Sequence, residues 1–158
     1  MSEHEPVTRF RAPVSLDYVV RAGDVTGAFL EGILDGRLVG RRCPDCRKVY
    51  VPARSICPTC SVPTTDEVEV GPRGTVTSLS VVRFPFEGQR LEPPYACVHI
   101  RLDGADSPLL HIVGECDVDR VRMGMRVEPV WDPEPLPSLE RVRYSRPSGE
   151  PDVALEEG

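Results

Sequence analysis

The 158-residue chain has room for one ordinary domain or two very small ones. Hydrophobic residues make up 40%, and 17 prolines with 13 glycines favour short strands joined by turns over long helices. A formal net charge of -6 excludes attraction of the whole protein to polyphosphate backbones and leaves only a local basic patch for such contacts.

In chain order, residues 1–23 form a polar arm. Its start, MSEHEPVTRFRAP, lacks the apolar core of a secretory signal, and no run approaches the roughly 18 apolar residues of a membrane span. A cytoplasmic protein with reduced cysteines and no membrane partner is expected. Helical spacing begins at Asp24, the expected N-cap, and puts Phe29, Leu30, Ile33 and Leu34 on one face. Gly36 is placed to end this helix over 24–35.

Two Cys-Pro-x-Cys knuckles follow, Cys43/Cys46 and Cys57/Cys60, and complete a unit over 24–65. From there β-branched and alternating runs predict five strands: 74–84, 95–102, 108–116, 125–131 and 140–145. In the second, Ala96, Val98, Ile100 and Leu102 share one face, and Cys97, His99 and Arg101 the other. Residues 117–124 can form a helical turn between the third and fourth strands, where an OB-fold places an element. The fold expected is therefore mostly β: an N-terminal helix and rubredoxin-like zinc ribbon, then a five-stranded OB-fold barrel over 66–145. Residues 146–158 read as a flexible, acidic, proline-bearing tail.

A Cys-x-x-Cys knuckle curls so that both sulfurs point at one ion, and two knuckles supply the four thiolates of a closed tetrahedral site. Cys43, Cys46, Cys57 and Cys60 are thus candidate ligands of a structural Zn²⁺, with iron the substitute that the same donors accept. A redox dithiol pair or disulfides would need the same residues, but paired knuckles at this spacing favour the metal. Arg41, Arg42, Arg47, Lys48 and Arg54 lie around the ligands in sequence. They either offset the charge of about −2 that four thiolates leave on Zn²⁺ or form a phosphate patch for a nucleotide-like cofactor, such as a CoA, or for nucleic acid.

No catalytic set is legible. Cys97 and His99 share a strand face without an orienting third group, and Cys116 and His111 read as packed strand residues. The segment RFPFEGQRLEPPY carries Arg83, Phe84, Phe86, Arg90 and Tyr95. Its phenylalanines either plug the barrel end or anchor an interface, where aromatic and Arg residues concentrate binding energy.

The order of these parts resembles the zinc-ribbon plus OB-fold proteins grouped as domain of unknown function thirty-five, an acyl-CoA-associated accessory family. The resemblance rests on GRL (36–38), RCPDC, VPAR (51–54), CPTC, GTVTS, PYACVHIRLDG (94–104) and GMRVEPVW (124–131). VPAR departs from the family, where many relatives have two adjacent prolines. The resemblance implies a non-catalytic subunit of a thiolase-like enzyme, an aldolase or acyltransferase acting on acyl-CoA. Steroid side-chain degradation or related lipid and polyketide metabolism is the implied setting. The catalytic residues would belong to the partner, and a hydratase is a further implied associate. Phe29, Leu30, Phe84, Phe86 and Arg90 are the expected docking residues. The alternatives are a single-stranded nucleic-acid-binding module, disfavoured by the charge and the aromatic content of 6%, or an independent acyl-CoA-binding protein.

Overall fold

The computed structural model describes residues 8–9, 12, 14, 16, 19–89, 91–135 and 138–155. Among these residues one α-helix, α1 (Gly23–Leu34), precedes eight strands: β1 (Leu38–Arg42), β2 (Val49–Tyr50), β3 (Asp66–Val70), β4 (Gly74–Val82), β5 (Tyr95–Leu102), β6 (Pro108–Val113), β7 (Arg126–Trp131) and β8 (Val142–Pro147). Short 3-10 turns sit at Val118–Arg120 and Leu139–Arg141. Among the described residues, no helix is long and apolar enough to cross a membrane.

The helix begins one residue earlier than expected. Ala22 is its N-cap, and no side chain caps it, so Asp24 lies in the first turn, where its charge still favours the positive end of the helix dipole. Its end follows the sequence. Gly36 takes φ +71°, its N–H donates to Ile33 O at 3.1 Å, and Arg37 N–H donates to Gly32 O at 2.8 Å. This pair of bonds is a Schellman close, for which a residue without Cβ is the favoured choice. Phe29 and Ile33 on the inner face are buried, with Leu30 packed beside them.

Strands β2, β1 and β3 form a small antiparallel sheet, while β4, β5, β6, β8 and β7 close a barrel in that order. Closure runs through a parallel contact of β6 with β8 at Val113 and Ser145, and through β7 pairing back onto β4 at Val127 and Gly74. Five strands closed in this order, with a 3-10 turn between the third and fourth, are an OB-fold. Alternation along β5 is as expected: Ala96, Val98, Ile100 and Leu102 are all buried. Gly74 permits the close approach that starts the barrel, since a Cβ there would lie 2.6 Å from Ile100 Cγ2.

Three features show how the expected units join. Residues 66–70 form β3, which completes the ribbon sheet by pairing with β1 from Leu38/Val70 to Arg42/Asp66; the barrel strands themselves span 74–147. The two expected units also share one core, in which Phe29, Ile33, Leu38, Val49 and Val51 cluster with Val76, Val98, Ile100 and Val127. The turn between β5 and β6 stitches them together. Asp106 Oδ2 accepts from Val49 N–H at 2.8 Å, Asp106 N–H donates to Val49 O at 2.8 Å, and Ser107 Oγ bonds Val51 N and O at 2.8 and 3.1 Å. Finally, the tail is held rather than loose as far as it is described, to residue 155. Glu150 and Asp152 pair with arginines of the barrel, because an acidic segment follows a strand flanked by Arg73, Arg122 and Arg126.

Candidate metal centre and docking surface

The two knuckles are near copies. Cys43 N–H donates to Lys48 O at 2.9 Å and Arg47 N–H to Cys43 O at 3.1 Å; likewise Cys57 N–H donates to Val62 O and Ser61 N–H to Cys57 O, both at 2.9 Å. In each, the residue after the second cysteine is left-handed, Arg47 at φ 63° and Ser61 at φ 57°. That backbone reversal brings both sulfurs of a knuckle to one side. The four Sγ atoms lie within 4.8 Å of one another, and Cys46 Sγ is 3.7 Å from Cys57 Sγ. A tetrahedron of Zn–S bonds near 2.3 Å has edges of about 3.8 Å, so the set fits one structural metal ion with no protein position left open.

The surroundings act on the sulfurs in opposite directions, and burial pushes the Cys43 thiol up. Burial works against the Cys57 thiolate, but donation from the Tyr50 hydroxyl, the Cys60 and Thr59 N–H groups and the Cys43 thiol outweighs it and draws this thiol down to about 6. The Tyr50 oxygen stands 3.3 Å from Cys57 Sγ, and this contact pushes the phenol up to about 12. Hydrogen bonding to Cys46, then burial, pushes Cys60 up to about 12. Without a cation the sulfurs compete for protons; a dication would take all four as thiolates. Tyr50 was not singled out in the sequence, because it sits in the apolar run VYV and reads there as a core strand residue.

The five cations around the ligands differ in setting. Arg41 and Arg42 are consecutive in β1 and so point to opposite faces of the sheet. Arg41 is engaged in structure, donating to Thr65 O at 2.7 Å where the chain returns into β3. Arg47, Lys48 and Arg54 are exposed. Arg54 and Ser55 line a cavity of about 520 Å³ with the first turn of α1.

Phe84 is 83% exposed and Phe86 60% exposed. They do not plug the barrel. Leu91, nearby in the same loop, is exposed as well, and Arg90 lies outside the described residues. Phe29 is corrected as a docking residue: at 3% exposure it is consumed in seating α1 on the core, and Leu30 at its edge is half-buried. On β5, His99 Nδ1 stands 2.8 Å from Ser78 Oγ, while Cys97 is half-buried. His111 Nε2 bonds Val142 O at 3.0 Å across the β6–β8 seam, and burial holds its imidazole below the usual range.

Two family models match this arrangement: "ChsH2, rubredoxin-like zinc ribbon domain" over residues 30–66 and "ChsH2, C-terminal OB-fold domain" over residues 67–132. Relatives include a DUF35 domain-containing scaffold protein of Methanocaldococcus jannaschii, 35% identical over 95 residues, 60% of this chain and 67% of that protein. A DUF35 domain-containing scaffold protein of Methanothermobacter thermautotrophicus is 30% identical over 95 residues, 60% of this chain and 71% of its own. Among solved structures, a DUF35 protein of unknown function from Sulfolobus solfataricus matches with TM-score 0.58 and 26% identity, covering 68% of this chain and 78% of that one. The Ltp2-ChsH2(DUF35) aldolase matches with TM-score 0.57 and 26% identity, covering 77% and 92%. With the ribbon, the barrel and their order all in agreement, the chain belongs to the DUF35 family, the zinc-ribbon plus OB-fold group that includes ChsH2.

Proposed function

We propose that this protein is a non-catalytic accessory subunit of a thiolase-like enzyme, of lipid-transfer aldolase or acyltransferase type, that acts on acyl-CoA. The observation that carries this reading is the likeness to the Ltp2-ChsH2(DUF35) aldolase, which extends over 92% of that chain. The exposed Phe84 and Phe86 support it: two large aromatics facing water on one loop are a ready anchor pair for a protein partner. Arg90 and the half-buried Leu30 complete the docking set of this reading, and the nucleophile and base belong to the partner. The exposed Arg47, Lys48 and Arg54 are the cations available to an anionic acyl-CoA. A hydratase supplying the acyl-CoA is the further associate, and steroid side-chain degradation or related lipid metabolism in the cytoplasm is the setting.

Zinc is the ion assigned to Cys43, Cys46, Cys57 and Cys60, where it holds the ribbon together; iron is the competing occupant. Metal analysis of freshly purified protein separates them, since a ferric tetrathiolate is coloured and zinc is not. The partner reading is tested by co-expression with a thiolase-like enzyme from the same organism. The two should co-elute as a stable complex, and Phe84→Ser with Phe86→Ser should weaken it while metal content stays stoichiometric. Tight oligonucleotide binding, falling steeply with salt and lost in the same variant, would instead favour the nucleic-acid module.

A further inference from the structure

The segment after β8 is laid back across the barrel as a strap. Its backbone is bonded at both ends to one stretch of chain: Ser148 N–H donates to Arg126 O at 3.0 Å and Val153 N–H to Gly124 O at 2.9 Å. Between these points its two carboxylates meet arginines. Glu150 accepts from Arg126 Nε at 2.9 Å and from Arg73 at 2.7 Å. Asp152 takes Arg122 through two bonds of 2.5 and 2.8 Å.

The receiving groove and its occupant are held very differently. Arg126 is only 10% exposed and is fixed from behind by Asp103, at 2.5 and 2.7 Å, and by Thr75 Oγ1 at 3.1 Å. Gly124 lets the strap lie against it: a Cβ there would sit 2.6 Å from Val153 O, and its φ is +84°. This glycine opens the GMRV stretch. Cavities of about 600 and 390 Å³ border the strap, both touching Arg126 and Glu150. The strap, in contrast, buries no side chain of its own from Gly149 to Ala154. Its Asp152–Arg122 pair is open to water, with side-chain exposures of 39% and 55%, whereas Glu150, at 36% exposure, meets the 10% exposed Arg126 in a half-buried pair. An arginine groove fixed from behind therefore holds its acidic occupant through backbone bonds and ion pairs, without burying a side chain of that occupant. The spacing is also informative, because carboxylates two residues apart reach the same side of a chain only when it is extended.

We propose that this groove is a docking site for an extended acidic segment of a partner protein, with carboxylates at alternate positions, and that the chain's own Glu150–Val153 fills it in cis until displaced. Partner strands recognised by backbone bonds at the ends and side-chain contacts between are a common mode of peptide capture. The cis occupant lowers the apparent affinity of any competitor by the fraction of time that it leaves the groove open. The site is independent of the identity of the enzyme partner.

The test uses the full chain with Glu150→Gln and Asp152→Asn, and a labelled peptide of the chain's own sequence SGEPDVAL followed by fluorescence anisotropy. The doubly substituted chain should bind the peptide at least about tenfold more tightly than the intact chain. Affinity should fall as salt rises, and Arg122→Gln should abolish the gain while leaving the buried Arg126 untouched. A peptide carrying Gln and Asn at its two acidic positions should not bind. The proposal is overturned if the double variant keeps its fold and binds the peptide no better than the intact chain. It is equally overturned if the variant loses thermal stability without gaining peptide binding, which would make the strap a structural clasp. Binding of tripolyphosphate with no binding of the peptide would also overturn it, making the groove a small-anion site.

Discussion

Removing the metal should melt the two knuckles and leave the barrel folded. Apart from the cysteines, the cluster around the ligands contains only Tyr50 and Val62. Burying those two contributes about 4 kcal/mol. Fixing the dozen or so residues of the two knuckles costs on the order of 1 kcal/mol each in backbone entropy. The deficit is roughly 8 kcal/mol, which a structural ion worth about 10 to 16 kcal/mol covers. The rest of the ribbon does not depend on that ion. Leu38, Val49, Val51 and Val70 belong to the main core, and Asp106 and Ser107 bond β2 directly to the barrel. Hydrogen exchange read by mass spectrometry, before and after chelation, resolves the two parts. Amides of residues 43–48 and 57–62 should lose protection by about a thousandfold or more, while β5 keeps its own. Parallel loss of protection in β5, or knuckles still protected without metal, would refute the reasoning.

Three further outcomes follow from particular side chains. Replacing both Phe84 and Phe86 by Ala should leave Tm within about 2 °C, as both are exposed in the free chain, yet weaken partner binding by roughly a hundredfold at 1 to 2 kcal/mol per anchor; scanning calorimetry of the free chain reads the first and titration calorimetry of the complex the second. Ile33→Ala empties a fully buried position between α1 and the core, and should cost about 2 to 5 kcal/mol in urea unfolding with little effect on metal content. His111 sets an acid limit. Burial holds its imidazole below the ordinary 6.5, so the folded chain binds this proton less readily than the unfolded chain does; its share of stability is complete above about pH 6.5 and is lost as pH falls through the lower folded value. His111→Gln, which keeps a donor for Val142 O, should flatten the slope of unfolding free energy against pH in that window.

The barrel was largely legible in the sequence because period-two alternation reports burial directly. In YACVHIRL the four residues expected inside are the four found there, and the strand bounds agree. Strand β3 was missed because DEVEV shows three acidic side chains to water, and its pairing partner lies upstream of the knuckles. Strands β1 and β2 were missed for a related reason: five and two residues long, they are too short to show a period. The clustering of the four cysteines was legible from spacing alone, but the contacts of Tyr50, Asp106 and Ser107 were not. Ser107 and Asp106 act through contacts 56 and 57 residues away, which no local pattern encodes, and Tyr50 reads as a core strand residue although it meets Cys57 seven residues on. Phe29 shows the opposite failure. Helical period placed it on the right face, but it could not say whether that face meets the core or a partner. The tail was misjudged because its composition resembles disorder, whereas its carboxylates meet arginines of the barrel brought near only by folding.

The most direct test of the accessory-subunit reading is turnover of an acyl-CoA by a purified thiolase-like partner, measured with and without this chain at matched enzyme concentration. The account predicts that the complex is active, that the partner alone is impaired, and that this chain alone converts nothing. Turnover by this chain on its own, or full activity of the partner in its absence, would contradict it.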